Sequence, residues 1–551
     1  MAKKTNILLS FLLITLVVAL YGQFLSSPIV FDDLYFFTGN YKDNQPAVST
    51  YRFALFELRS LPYSTLAWTK AFFGLELIFF RGGNLLLHVA VVLVLFPFLS
   101  SLFSAVYGKS KNQSSLSPSL AAFFAALLFA LHPVATYAAG YLIQRTIVMS
   151  TLFSLLALLV YVQGSVRQKP LWQWMSVPFY YLAVFSKEHA IMLPAVLIAL
   201  TVLLHDDWWL KLKQRWLIFA TLAVIAMFAM FVLVSGINID LLGSVYEPNG
   251  VEMLRQNNSK LAYPLSVITQ SWLFFKYALL WVVPNPAWMS IDMREPFARS
   301  LFSPYMIAAV GFLAWGVGAF WLLLKRGTLG LVGFALLFPW LMFFTEFSTV
   351  RIQDVFVLYR SYLWATGAFC LLPVVFSRLS GHSASLVLTL IALAMFPMSV
   401  ERLMTLSHPV LLWDDAEKLV KGRTDLPGAF RIYHNRGAEL LNIGSLDQAI
   451  ADLKKSIALH NDFAEAHGNL GAAYLKKGDF PNSVASFSKA IDITQNSGKS
   501  LNPRYVYGRA QASEKMGELE KAQADYRESC RVAKRGCDKL SAESLSKLLR
   551  E

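Results

Sequence analysis

Charge is what this chain has little of. Asp, Glu, Lys and Arg make up only 15% of its 551 residues, against 56% hydrophobic ones. A water-soluble globular class is excluded by that balance, and a polytopic membrane protein is expected. Cysteine is equally scarce: three residues cannot build a disulfide framework, and with nine scattered histidines they show no metal-ligand spacing, so no zinc is expected. Cys370 lies within an apolar run and reads as a small core hydrophobe. Cys530 and Cys537 would stand about 10 Å apart in one continuous helix, beyond disulfide reach. A bridge there requires the helix to break near Gly536, and an oxidising compartment to keep it. Acidic residues are the rarer sign, 35 against 49 basic, for a net charge of +14. In a soluble chain that excess would suggest nucleic acid; here the basic residues act first as topology determinants, and no nucleic-acid partner is expected.

Apolar runs of spanning length occur at 7–25, 84–105, 119–139, 146–163, 171–186, 189–205, 216–236, 304–324, 330–349, 361–376 and 384–401, with a further one at 262–283. If all twelve crossed, Lys325 and Arg326 would be stranded outside. Reading 262–283 as interfacial or re-entrant instead places Lys3/Lys4, Lys109/Lys111, Arg167/Lys169, Lys211/Lys213/Arg215, Lys325/Arg326 and Arg378 on one side. The expectation is therefore about eleven spans, a cytoplasmic N-terminus held by an uncleaved anchor, and a C-terminal tail outside the cytoplasm. The stretch 48–80 mixes aromatics with Arg52, Arg59 and Lys70 and is interrupted at Pro62, which suits helices lying in the headgroup zone.

From about Ala429 the composition turns soluble and self-similar. Segments around Gly444, Gly478 and Gly517 align, the first two 34 residues apart and the third 39 further on. Small residues recur at Gly437, Gly471 and Ala510, then at Ala449, Ser483 and Ala522, where two helices would approach closely. The period resembles tetratricopeptide repeats, whose stacks present a concave groove for peptide.

The outer face carries the chemistry. "FDDLYFF" sets Asp32 and Asp33 at the mouth of the first span, where repulsion and desolvation raise one pKa of the pair toward that of a useful general base. A base suffices where the leaving group is already good, as in a polyprenyl-phosphate sugar; the remaining need is cations for the phosphate. Arg145, Lys187, Arg351 and Arg360 end predicted spans on that same side. Gln144 and Glu188 adjoin them, and Arg59, His88, His132 and Gln270 are candidate supporting residues, with a structural hydrogen bond expected for His132. A divalent ion at Asp32/Asp33 is compatible with the pair but not required.

"FDD", "RGGNLLLHV", "LLFALHPVATYAAGYLIQR", "FSKEHAIMLP", "VITQSWLFFKYALLWVVPNPAWMSID" and "YRSYL", followed by the repeats, resemble the transmembrane and tetratricopeptide repeat O-mannosyltransferases and their bacterial relatives. The resemblance implies an all-α, GT-C-type membrane domain over 1–402, a linker over 403–428 and an α-solenoid of about three repeats over 429–551. It also implies an inverting glycosyltransferase without cofactor, taking sugar from a polyprenyl phosphate to Ser or Thr of exported proteins at an inner membrane. Asp32 or Asp33 would be the base; Arg145, Lys187 and Arg360, with Gln144 and Glu188, would bind the donor; the repeats would bind the acceptor. The chain departs from the pattern at Tyr137, where relatives often carry Glu or Gln, and at Leu358-Tyr359, where Glu-His is frequent. The alternatives are an oligosaccharide ligase using a lipid-linked glycan and a non-catalytic scaffold recruiting secreted proteins.

Overall fold

The computed structural model describes residues 2–37, 47–108, 115–237, 261–423, 425–498, 500–542 and 548. Among the described residues the regular elements are all helices, apart from an isolated antiparallel bridge between Met293 and Phe356. The described residues up to His408 form one compact unit and those from Pro409 onward another.

In the first unit, eight described helices are long and apolar enough to cross a membrane: Lys4–Phe24, Leu77–Tyr107, Leu142–Val166, Trp216–Ser235, Ala262–Val282, Pro304–Leu324, Gly327–Phe347 and Gly381–Leu406. A ninth arises if the pair Pro118–Ala130 and Pro133–Ala139, bent by 55°, is one span. The bend has a local cause. Pro133 opens a new turn, and the His132 side chain accepts the Val134 N–H at 3.2 Å.

Three expected crossings are shorter than the sequence suggested. The run 171–186 divides into Pro170–Trp174 and Ser176–Ser186. The run 189–205 contains only Leu193–Leu204 as α-helix, and 361–376 is cut into Ser361–Ala368, a 3-10 turn and Leu372–Val375. An eleven-residue helix rises about 17 Å, roughly half of a hydrocarbon core. Apolar composition runs through these breaks; what stops the helices is extended backbone at Lys187 (φ −160°, ψ 131°) and a tightened turn before Pro373.

The segment expected to be interfacial or re-entrant, Ala262–Val282, is instead one unbroken helix. The chain then doubles back beside it without a second helix. Glu295 pairs with Lys276, the Ala298 N–H donates to Thr269 Oγ1 at 3.1 Å, and Tyr305 packs on Trp272 with ring centroids 6.0 Å apart. Residues 295–298 thus run back along the helix from Lys276 to Thr269, and Pro304–Leu324 begins beside Trp272. In the stretch 48–80, Arg59 in left-handed conformation (φ 63°) opens the helix Ser60–Phe73, which leaves Trp68, Phe72 and Phe73 exposed.

The second unit consists of antiparallel helix pairs: Ala429–Asn442 with Leu446–Leu459, Ala464–Lys477 with Phe480–Asn496, and Pro503–Lys515 with Leu519–Ala533. Gly444, Gly478 and Gly517 take φ of 83°, 84° and 82° at the three intrarepeat turns, where a side chain would be strained. At Gly471 a Cβ would meet Phe487 Cγ at 2.8 Å, so glycine sets how closely the pair approaches.

Two boundaries differ from expectation. Residues 403–428 are not a bare linker: 403–406 complete Gly381–Leu406, and Pro409–Val420 is a helix whose Asp414 bonds Arg436 of the first repeat at 3.1 Å. At the far end the last helix stops at Ala533, Lys534 and Gly536 turn with positive φ, and Cys530 and Cys537 are bridged with Cα atoms 5.0 Å apart.

Candidate functional site

The two acids of "FDDLYFF" are placed in opposite ways. Asp33, in the first turn of Asp33–Phe37, is fully buried. Its carboxylate accepts the N–H of Ile143 at 2.9 Å and of Leu142 at 3.3 Å. Burial pushes this carboxyl up to about 7, against the pull of those two backbone donors and of Arg81. Asp32 is exposed, while its own N–H donates to the Tyr141 hydroxyl at 2.9 Å. Arg81 clasps the same pair of loops, donating to the carbonyls of Ser27 at 2.8 Å and Gly140 at 2.9 Å, and also to that of Pro28. The acid-bearing loop is thereby fixed to residues 140–143, with Asp32 left facing out.

Immediately after the anchored turn, Gln144 Oε1 accepts from the Lys187 ammonium at 3.0 Å, and Thr146 Oγ1 lies 3.4 Å from it. The ammonium also stands 4.8 Å from the centre of the Tyr359 ring, which is itself 6.5 Å from that of Tyr141. Its described partners are all neutral. Burial, with Arg59 and Arg360 adding repulsion, lowers the Lys187 pKa to about 7.

A chain of ion pairs continues from there. Glu188 takes both Nε (3.0 Å) and Nη2 of Arg59, and Tyr63 lies within electrostatic reach of Arg59, Glu188 and Asp32. His189 Nε2 lies 3.2 Å from Glu346, whose other oxygen accepts from Arg360 Nη1 at 3.0 Å and sits 3.7 Å from Arg351 Nε. Glu346 is 1% exposed and Arg360 5%, so this carboxylate and guanidinium meet out of water. The sequence reading did not single out Glu346. Its signal was weaker than that of the Asp32/Asp33 pair: a single acid closing an apolar run, in "LMFFTEFSTV".

The remaining candidates have other surroundings. Arg145 is buried and donates to Asn84 Oδ1 (2.7 Å), Thr65 Oγ1 (3.2 Å) and the Phe80 carbonyl (2.8 Å), so its described contacts run to the helices Ser60–Phe73 and Leu77–Tyr107 and not to the Lys187–Glu346 chain. His88 Nδ1 meets the Tyr362 hydroxyl at 2.6 Å. His132 stacks on Trp281 with ring centroids 4.3 Å apart. Gln270 Nε2 donates to the Val355 carbonyl at 2.9 Å, bracing the loop that carries Arg351, Tyr359 and Arg360. Among the described residues no three His, Cys, Asp or Glu side chains gather as metal ligands would. The structure therefore brings together Asp32, Asp33, Gln144, Lys187, Glu188, Arg59 and Arg360, and sets Arg145, His88, His132 and Gln270 into the framework behind them.

Comparison with known proteins concerns the second unit. Residues 437–478 match a TPR repeat family model, and residues 464–497 and 503–535 match the tetratricopeptide repeat model. A stretch of 67 residues is 35% identical to the Hsp70-Hsp90 organizing protein of Triticum aestivum; it covers 12% of this chain, and the chain spans only 12% of that relative's length. The C-terminal part of the chain carries tetratricopeptide repeats, a module that generally binds other proteins.

Proposed function

We propose that the protein is a membrane glycosyltransferase of the GT-C kind, transferring sugar from a polyprenyl-phosphate donor to a Ser or Thr hydroxyl of exported proteins, with the repeats holding the acceptor. The observation that carries the reading is the division of labour between the two acids. Asp33 is an anchor, and Asp32 is an exposed carboxylate held against the loop that leads to Lys187.

In this reading Asp32 takes the acceptor hydroxyl proton as the oxygen attacks the anomeric carbon from the face opposite the phosphate. The bond from that carbon to the phosphate oxygen breaks, and the lipid phosphate departs as an anion without needing a proton. Lys187, oriented by Gln144, offsets the charge on the departing phosphate, with Arg360 and Arg351 behind it. Two features support an extracytoplasmic face for this chemistry. The Cys530–Cys537 bridge suits an oxidising compartment. The clustering of basic residues in the short loops, Lys325 and Arg326 among them, supports placing those loops on the opposite side from the acids.

The test is transfer from a polyprenyl-phosphate sugar by the full-length protein in membranes. Asp32→Asn is expected to abolish turnover while leaving the fold intact; wild-type turnover in that variant overturns the assignment. Intact mass of the acceptor separates single-sugar transfer from attachment of a preassembled glycan. Acceptor binding without any transfer would leave the scaffold role.

A further inference from the structure

The geometry points to Glu346 as the residue that sets how much negative charge the donor site accepts, a role that rests on the glycosyltransferase reading above. Its carboxylate is 1% exposed and joins side chains from two other segments: His189 at 3.2 Å, and Arg360 at 3.0 Å and Arg351 at 3.7 Å from the loop that follows it. The buried carboxylate accepts a charge-assisted hydrogen bond from Arg360, holds Arg351 at ion-pair distance and, at the same time, competes with any incoming phosphate for both guanidiniums.

The neighbouring ion pair has the same form, with Glu188 occupying two nitrogens of Arg59. Lys187, between them, meets only the amide oxygen of Gln144, the hydroxyl of Thr146 and the face of Tyr359. Each arginine named here thus lies in ion-pair range of a carboxylate of the protein itself, whereas Lys187 touches none and feels Glu188 and Glu346 only through space. A phosphate entering beside Lys187 finds one cation whose direct contacts are neutral and a guanidinium pair whose field Glu346 attenuates. Such a site favours the singly charged phosphodiester of a monophosphate-linked sugar over the more highly charged diphosphate linkage. Glu346 is a positioning and specificity-determining residue here, since it acts through Arg360 and Arg351 and not on the reacting atoms.

The experiment compares the full-length protein with its Glu346→Gln and Glu346→Asp variants in lipid nanodiscs. Transfer is measured from a polyprenyl-monophosphate sugar and a polyprenyl-diphosphate sugar, and binding of unglycosylated polyprenyl monophosphate and diphosphate is measured alongside. Glu346→Gln is expected to shift the ratio of KM values, and of the binding constants, toward the diphosphate by about tenfold, and Glu346→Asp is expected to keep the wild-type ratio. Equal loss on both lipids in Glu346→Gln, with the ratio unmoved, overturns the proposal and leaves Glu346 a structural residue. If Glu346→Gln does not fold, Lys187→Gln and Arg351→Gln decide: the proposal requires the lysine variant to lose roughly ten times more monophosphate affinity than the arginine variant, and equal losses overturn it. Failure of the wild type to transfer from either donor removes the glycosyltransferase reading, while the binding ratios still report on Glu346.

Discussion

The two units treat arginine differently. In the repeats, Arg436 forms a two-pronged pair with Asp452, at 2.6 and 2.9 Å, and Arg509 forms the same pair with Asp525, both contacts at 2.8 Å. Both carboxylates lie sixteen residues after their arginine, on the second helix of the same repeat. Each cation meets carboxylates of its own unit, Arg436 adding Asp414 and Glu417, and the charge does structural duty. In the apolar unit the matching is uneven. Arg351 and Arg360 share Glu346, whereas Lys187, Arg81 and Arg145 bond to amide, hydroxyl and carbonyl oxygens. Burying a cation against neutral partners is costly, and a fold that needed only adhesion would pair it or replace it. Arg81 and Arg145 use those bonds to clasp the framework, so that under the proposed function Lys187 is the cation held in reserve for the donor.

Breaking the reserve gives the largest expected effects. Under the proposed function, Asp32→Asn lowers kcat by about 10²- to 10⁴-fold with an unchanged melting temperature, measured by sugar transfer and thermal unfolding. Lys187→Gln raises donor KM by roughly tenfold or more. The donor favours the charged ammonium, whose pKa in the free protein is about 7, so wild-type donor affinity should fall as pH rises through that value and stay level below it. A pH profile of KM checks the sign, and the Lys187→Gln profile should be flat over the same range.

In the repeats the effects are on stability alone. Cys530→Ser removes a short covalent loop and should cost about 2 kcal/mol in unfolding of the last repeat, read by denaturant titration with and without reductant. Arg436→Ala should cost about 1–2 kcal/mol by leaving Asp452 and Asp414 without their donor, and should not change donor KM. A change of donor KM in the Arg436 variant would erase the distinction between the two units.

What the sequence made legible follows from how each feature is encoded. The repeats announce themselves because Gly444, Gly478 and Gly517 each meet one backbone demand at a fixed interval. Long apolar helices are visible by length. The broken ones are not, because hydropathy continues smoothly across Ser186–Lys187 and Leu371–Pro373 while the backbone does not. The helix Pro409–Val420 was hidden between proline and glycine punctuation, although Leu412, Ala416 and Val420 recur at helical spacing and are all buried. At the site, Gln144 and Lys187, 43 residues apart, were readable as members of one site because each stands where an apolar run ends on the same expected face. The split between Asp32 and Asp33 was not, since it depends on which carboxylate meets the N–H groups of residues 142–143. Glu346 was missed because in sequence it is one acid at the end of an apolar run, while its significance lies in meeting His189 from far along the chain together with Arg351 and Arg360 of the next loop.

Arg81 has one more implication. By tying Ser27 and Pro28 to Gly140, and with Asp33 and Tyr141 fastening the next residues, it leaves the Asp32 loop no hinge of its own. Under the proposed function, a rigid proton acceptor there cannot reach toward hydroxyls presented at varied depths. Adaptability must then come from the other molecule, which favours threading, extended stretches of polypeptide as customers over serines set in a finished fold.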